Sequence, residues 1–316
     1  MREGLVGWTF EALTPGPYDP LWRGASWDGR RWVSEPVDVV SSTELVLSWN
    51  AVTPPGSGIA FEVSLRIGGE CSNWTPMGNW GDVPPVRPVD SPIKRDVDTA
   101  TWEGVADTVR VRVHAFGDGE RLPHLKRIVV SCRGQVEATS RQGPPQPGPF
   151  VRDVAFRSQM TEGPELAKRM CGPTSLAMHL ATVEPNLPTA QVASAAYDRV
   201  HDLYGNWPHL AAVAGERGFV SWVQQFSFLR DVEERLLVGY GAILSVAFEE
   251  GQLDGAPIPR TNGHLLVLRG WDDKGNPVCN DPAFPDERGD GVRYRRDQLE
   301  GVWSRHGGAT ILLRPE

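Results

Sequence analysis

Two domains of different class are predicted: an all-β sandwich, jelly-roll or immunoglobulin-like, over residues 1–140, and an α+β domain over residues 150–316, with a Pro-rich linker, 141–149, between them. Three observations carry this. Phe61-Glu62-Val63-Ser64-Leu65-Arg66-Ile67 and Val109-Arg110-Val111-Arg112-Val113-His114 alternate apolar with polar residues, the period of strands that bury one face and wet the other. Gly143-Pro144-Pro145-Gln146-Pro147-Gly148-Pro149 bars both helix and central strand and reads as a stiff linker. Beyond it, helical stripes alternate with short apolar runs. The 316 residues also exceed one typical domain of about 100 to 200.

In the first domain, Glu44-Leu45-Val46-Leu47-Ser48-Trp49 and Leu125-Lys126-Arg127-Ile128-Val129-Val130 are further strands, separated by turns such as Thr53-Pro54-Pro55-Gly56-Ser57-Gly58. This domain holds eight of the twelve tryptophans, which serve either as core or as a carbohydrate-stacking platform. Trp74, Trp80 and the intervening Pro76-Met77-Gly78-Asn79 mark the place for such a platform. Cys71 and Cys132 are a candidate bridge if the protein is exported.

In the second domain, helices fit 171 to about 183, 189 to about 202, and 207–217 with Gly218 as the stop. A strand fits 219–226, then a helix over 229–238 capped by Ser227 and ended by Gly239. Runs at 242–248, 264–271, 278–281, 292–295 and 309–313 complete a mostly antiparallel sheet. A helical lobe faces a sheet lobe across a cleft, which the Gly/Pro-rich segment 249–262 and residues 205–209 line.

The chemistry concentrates at Arg169-Met170-Cys171-Gly172-Pro173-Thr174-Ser175. A cysteine before Gly-Pro, followed by Leu176, Leu180 and Val183 on one face, belongs at a helix N-terminus, where the dipole and free N–H groups favour the thiolate. In Asn262-Gly263-His264-Leu265-Leu266-Val267-Leu268 a histidine opens a buried strand, and Gly263 suggests a turn or close backbone approach. After a turn at Asp272-Asp273-Lys274-Gly275 comes Pro277-Val278-Cys279-Asn280-Asp281, followed by Pro282. Paired as a hairpin, these strands make His264 and Asp281 neighbours. Cys171, His264 and Asp281 then stand in the order nucleophile, base and orienting group, with the Gln159 amide and the Cys171 N–H as oxyanion donors.

These residues resemble the bacteriocin-processing-type, papain-like cysteine peptidases, in particular their stand-alone bacterial relatives. The likeness rests on Gln159, on Cys171 to Ser175, on Asn262-Gly263-His264 and Asn280-Asp281-Pro282, and further on Gly205-Asn206-Trp207-Pro208 and Leu253-Asp254-Gly255-Ala256-Pro257-Ile258-Pro259. It covers roughly 150–316 and implies a papain-like α+β fold that hydrolyses a peptide or related amide through an acyl-enzyme. The transporter-fused members cut leader peptides after a double glycine. With no transporter domain here, that specificity is not carried over.

A formal charge of −8 without a Lys/Arg-rich run argues against nucleic acid and anionic membrane as partners, and no run approaches the roughly 20 apolar residues of a membrane span. No cofactor motif is present. His201, His209 and His306 match no metal-ligand spacing and read as solvated loop histidines. The N-terminal residues lack the apolar core of a secretory signal, so a cytoplasmic chain is expected, or an exported one if this is a trimmed mature form. The expected partner is a peptide or protein substrate. Two alternatives remain open: an amide acyltransferase using the same three residues, and an inactive papain-like module whose sandwich binds carbohydrate or cell wall.

Overall fold

Alternation of the kind seen at Phe61–Ile67 builds nine strands in the first part of the computed structural model, which describes residues 4–9, 31–118, 121–134, 142–163 and 165–316. They are β1 (Gly4–Thr9), β2 (Arg31–Val33), β3 (Val37–Val52), β4 (Gly58–Ile67), β5 (Glu70–Cys71), β6 (Thr75–Gly81), β7 (Lys94–Arg95), β8 (Ala100–Phe116) and β9 (His124–Gly134). All pair antiparallel in the order β1-β9-β3-β8-β4-β5, with β2 and β7 on β8 and β6 on β4. The long β3 changes partner along its length: Val37 and Asp38 pair with β8, Ser42, Glu44 and Leu45 with both β8 and β9, and Val46 onward with β9. Trp49 of β3 stacks on Phe61 of β4 with ring centroids 4.5 Å apart, and Leu45, Ile59, Val63 and Val111 of these strands and β8 are fully buried.

The opposite face of β4 and β8 departs from the expected wet side. Glu62, Ser64, Arg112 and His114 are all buried. Glu62 Oε2 accepts from Arg112 Nε at 2.5 Å and lies 2.6 Å from His114 Nε2, which gives the buried carboxylate the partners that burial demands. Val83 and Val86 pack on Ala60 and Phe116, on this same face.

The carbohydrate platform needs correction. Trp80 is buried, and the guanidinium of Arg112 sits 4.6 Å from the centroid of Trp74, so the two do not form an exposed stacking pair. Cys71 and Cys132 are both free, the first exposed and the second buried, so no bridge joins them.

The chain divides into two compact units, Met1–Val136 and Glu137–Glu316. The junction predicted at residues 140–141 lies outside the described residues. The Pro-rich segment is fastened to the second unit: Trp271 Nε1 donates to the Gly148 carbonyl at 2.7 Å, and Arg230 donates to the carbonyls of Pro144 and Pro145.

The second unit contains β10 (Phe150–Val151), α1 (Cys171–Leu180), α2 (Thr189–Ala196), α3 (Trp207–Glu216), β11 (Phe219–Gln225), α4 (Leu229–Leu237), β12 (Gly241–Phe248), β13 (Thr261–Trp271), β14 (Pro277–Asn280), β15 (Val292–Arg293), α5 (Arg296–Arg305) and β16 (Ala309–Pro315). Its seven-stranded antiparallel sheet runs β11-β16-β12-β13-β14-β15, with β10 on β13. Helices α1, α2 and α3 pack together, α1 lies on β13, and α4 and α5 lie on β12.

Three local expectations change. Helix α2 stops at Ala196 because Asp198 Oδ1 takes the N–H groups of Val200 and His201, turning the chain. Ser227 does not cap α4. Phe228 occupies the cap position, and the Leu229 N–H donates to Glu300 Oε1 at 2.9 Å. That glutamate belongs to α5, a helix the sequence reading omitted.

Candidate active site

Cys171 is the first residue of α1, entered through a 3-10 turn at Ala167–Arg169. Pro173 fits there because the first helical turn needs none of its own N–H groups for internal bonds. Gly172 sits in a crowded place: a Cβ there would lie 2.9 Å from Cδ1 of Leu210 and of Leu265, and 3.2 Å from the Gly205 Cα, so those neighbours would have to shift. Ser175, one turn along α1, donates to the Leu265 carbonyl at 3.0 Å. This clamp sets the helix N-terminus against the strand residue that follows His264.

The β13–β14 hairpin pairs Val267 with Asn280 and Leu268 with Cys279. Asp281 therefore follows directly on β14 and turns back toward His264, whose Nε2 lies 2.8 Å from Asp281 Oδ1. Both side chains are buried. The other ring nitrogen, Nδ1, is not taken by Asp281, and His264 and Cys171 lie close enough for each to shift the other's pKa.

Burial alone raises a thiol pKa, yet the hydrogen bond and charge of His264, with the N–H groups of Leu265 and Gly172, carry Cys171 below the ordinary thiol range. Burial alone disfavours the imidazolium of His264. The charge and hydrogen bond of Asp281, aided by Cys171, outweigh it and raise the pKa to about 10. Asp281 is lowered against its own burial by His264, by Tyr294 and by the Ala283 N–H.

Gln159 is buried between the Asp281 turn and the chain leading into α1. Its backbone N–H donates to the Pro282 carbonyl at 2.9 Å and its Nε2 to the Ala167 carbonyl at 2.6 Å, four residues before Cys171. Its Oε1 has no partner among the described residues.

Tyr294 was not singled out in the sequence, and Asn280 entered only within the Asn280-Asp281-Pro282 motif. Tyr294, 1% exposed, donates its hydroxyl to Asp281 Oδ2 at 2.7 Å. Asn280 Nδ2 donates to the Val154 carbonyl, while its Oδ1 accepts from Arg269 and from the Gly291 N–H. The alternation Val292-Arg293-Tyr294 signals a strand and nothing more. Gly263, expected to mark a turn or close approach, is open: a Cβ there would find its nearest neighbour, His306 Cε1, at 3.7 Å.

His201, His209 and His306 are engaged by protein groups, which corrects their reading as solvated. His201 Nδ1 lies 2.7 Å from Asp198 Oδ2, His209 Nδ1 lies 3.3 Å from the Ala196 carbonyl, and His306 Nδ1 lies 3.0 Å from Ser245 Oγ. Among the described residues no cluster of three or more His, Cys, Asp or Glu side chains is arranged to hold a metal, and no helix is long and apolar enough to cross a membrane.

Comparison with known proteins follows the two units. Residues 151–311 match the Peptidase_C39 like family, and residues 11–130 match the Peptidase C39 N-terminal domain. Among solved structures, the chain is similar to a C39-like peptidase from Bacillus anthracis, at 17% identity and a TM-score of 0.40 over 53% of this chain and 99% of that one. It is also similar to a double glycine motif protease from an AMS/PCAT transporter in complex with the leader peptide, at 20% identity and a TM-score of 0.37 over 54% of this chain and 100% of that one. No curated protein matches. On the match over residues 151–311, the chain belongs to the Peptidase_C39 like family and is a cysteine peptidase.

Proposed function

We propose that this peptidase cuts a peptide or isopeptide bond through a triad of Cys171 as nucleophile, His264 as base and then acid, and Asp281 as the group that orients the imidazole. The observation that supports the reading is a buried imidazole whose Nε2 lies 2.8 Å from a buried carboxylate, close enough to Cys171 for the ring and the thiol to shift each other's pKa. The Cys171 thiolate attacks the substrate carbonyl carbon, and the carbonyl oxygen takes up the charge. The Cys171 N–H and the second N–H of Gln159 Nε2, the one not given to Ala167, stabilise that oxyanion. His264 gives its proton to the departing amine, leaving a thioester. Water then attacks the thioester as His264 takes its proton, the thiolate leaves, and the thiolate–imidazolium pair is restored.

The pair sets the pH range. Activity rises as Cys171 ionises below the ordinary thiol pKa and falls as His264 loses its proton near pH 10. For the first unit, the change of partner along β3 supports a sandwich in which long strands pass from one layer to the other. The Pro-rich segment then serves as the junction between domains 1–140 and 150–316.

A peptide library incubated with wild type and with Cys171→Ala, read by mass spectrometry, tests the mechanism. Wild type is expected to release new termini and the variant to lose about 10³-fold or more of that rate. Equal cleavage by both proteins contradicts the assignment. With an excess of a primary amine present, an amide adduct in place of the free acid marks the acyltransferase reading instead.

A further inference from the structure

The Asp281 carboxylate is held from both of its neighbouring strands. His264 comes from β13, and Oδ1 takes His264 Nε2 at 2.8 Å and the Ala283 N–H at 3.0 Å. Tyr294 directly follows β15, which pairs with β14 on its other side, and its hydroxyl donates to Oδ2 at 2.7 Å. The phenol is fixed in place: its backbone N–H donates to the Pro277 carbonyl at 3.1 Å, and the residue is 1% exposed. A buried hydroxyl spent on the free oxygen of this carboxylate does more than fill space, because a carboxylate with one oxygen unclaimed can turn about its χ2 bond.

Resting on the triad reading above, we infer that Tyr294 is a positioning residue: its hydroxyl fixes the plane and the charge of the Asp281 carboxylate, so that Oδ1 stays on His264 and the imidazolium stays opposite the Cys171 sulfur. Without the hydroxyl, Oδ2 is a buried anionic oxygen with no donor. The carboxylate then turns about χ2 and Oδ1 no longer stays on His264. The imidazolium loses its carboxylate partner, and the thiol keeps its proton to a higher pH. Tyr294 remains a neutral donor throughout, since burial and the Asp281 charge push its own pKa up.

The rate of iodoacetamide alkylation of Cys171 against pH, followed by mass on the full chain, reads this without a substrate. Wild type, Tyr294→Phe and a protein carrying a fluorotyrosine at position 294 are compared. A hydrogen bond to a charged acceptor is lost in the phenylalanine variant, so its alkylation midpoint is expected about one pH unit higher. The fluorinated phenol is the stronger donor, and its midpoint is expected lower than that of wild type. Identical midpoints in all three proteins, even with a lowered melting temperature for the phenylalanine variant, overturn the inference while leaving the triad intact. A wild-type midpoint at the ordinary thiol pKa overturns both. If the phenylalanine variant does not fold, the fluorotyrosine protein decides alone, and an unmoved midpoint there overturns the inference.

Discussion

Two buried thiols of this chain behave in opposite fashion to a third. Burial pushes Cys132 up to about 12 and Cys279 well above the ordinary value, whereas Cys171 is lowered because an imidazolium and two N–H groups answer its burial. Cys279 lies two residues from Asp281, so proximity to the site alone does not activate a thiol. A second buried histidine makes the reverse point. His179 of α1 packs so closely on Gly241 that a Cβ there would lie 2.6 Å from its Cε1, and burial with the Arg152 charge pulls its pKa down to about 4. From pH 6.5 down to 4 the unfolded chain binds a proton that the folded chain refuses, so stability falls by about 3 kcal/mol over that window. Replacing it, as His179→Gln, is expected to flatten the acid limb of melting temperature against pH. An unchanged acid limb rules this residue out as its cause. At this scale the neighbourhood of His264 and Asp281 was legible, because strand alternation and a short turn fix which residues meet across a hairpin. Tyr294 was not, since no local pattern tells which carboxylate a buried phenol will find.

Helix α1 carries the nucleophile, and what fixes its N-terminus is contact with other elements. Gly172 lets Leu210 of α3 and Leu265 of β13 close on the helix start, and Ser175 ties the next turn to the Leu265 carbonyl. Gly172→Ala is expected to cost about 1–3 kcal/mol through overpacking and to slow Cys171 alkylation near neutral pH, as the helix start moves away from His264. Unchanged stability and unchanged alkylation would show that Leu210 and Leu265 yield freely. The elements read well where the period was clean, as for α3 and β12. They failed where a side chain intervened: Asp198 ends α2 early by capturing backbone N–H groups, a competition that apolar periodicity does not register. Helix α5 was missed because only Leu299, Val302 and Trp303 form its buried stripe, and Gly301 interrupts it.

At the scale of the whole chain, the two-unit organisation was legible from the change of period across the Pro-rich segment, but the buried polar layer of the first unit was not. Glu62, Arg112 and His114 occupy positions that strict alternation assigns to water, yet all three are buried, with Val83 and Val86 packed on Ala60 and Phe116 of the same face. Removing the shared acceptor, as Glu62→Ala, is expected to destabilise the first unit by about 3–5 kcal/mol, the cost of breaking a buried charged pair from one side, seen as an earlier melting transition. An unmoved transition would mean that the pair contributes nothing. The central claim remains the charge state of one sulfur, and the most direct measurement is a pH titration of the thiolate ultraviolet absorption, with Cys171→Ala as the blank. The account predicts a Cys171 thiolate already present well below the ordinary thiol pKa of about 8.5, and its loss in His264→Ala. A Cys171 signal that emerges only at that ordinary pKa, or one that His264→Ala leaves in place, contradicts it.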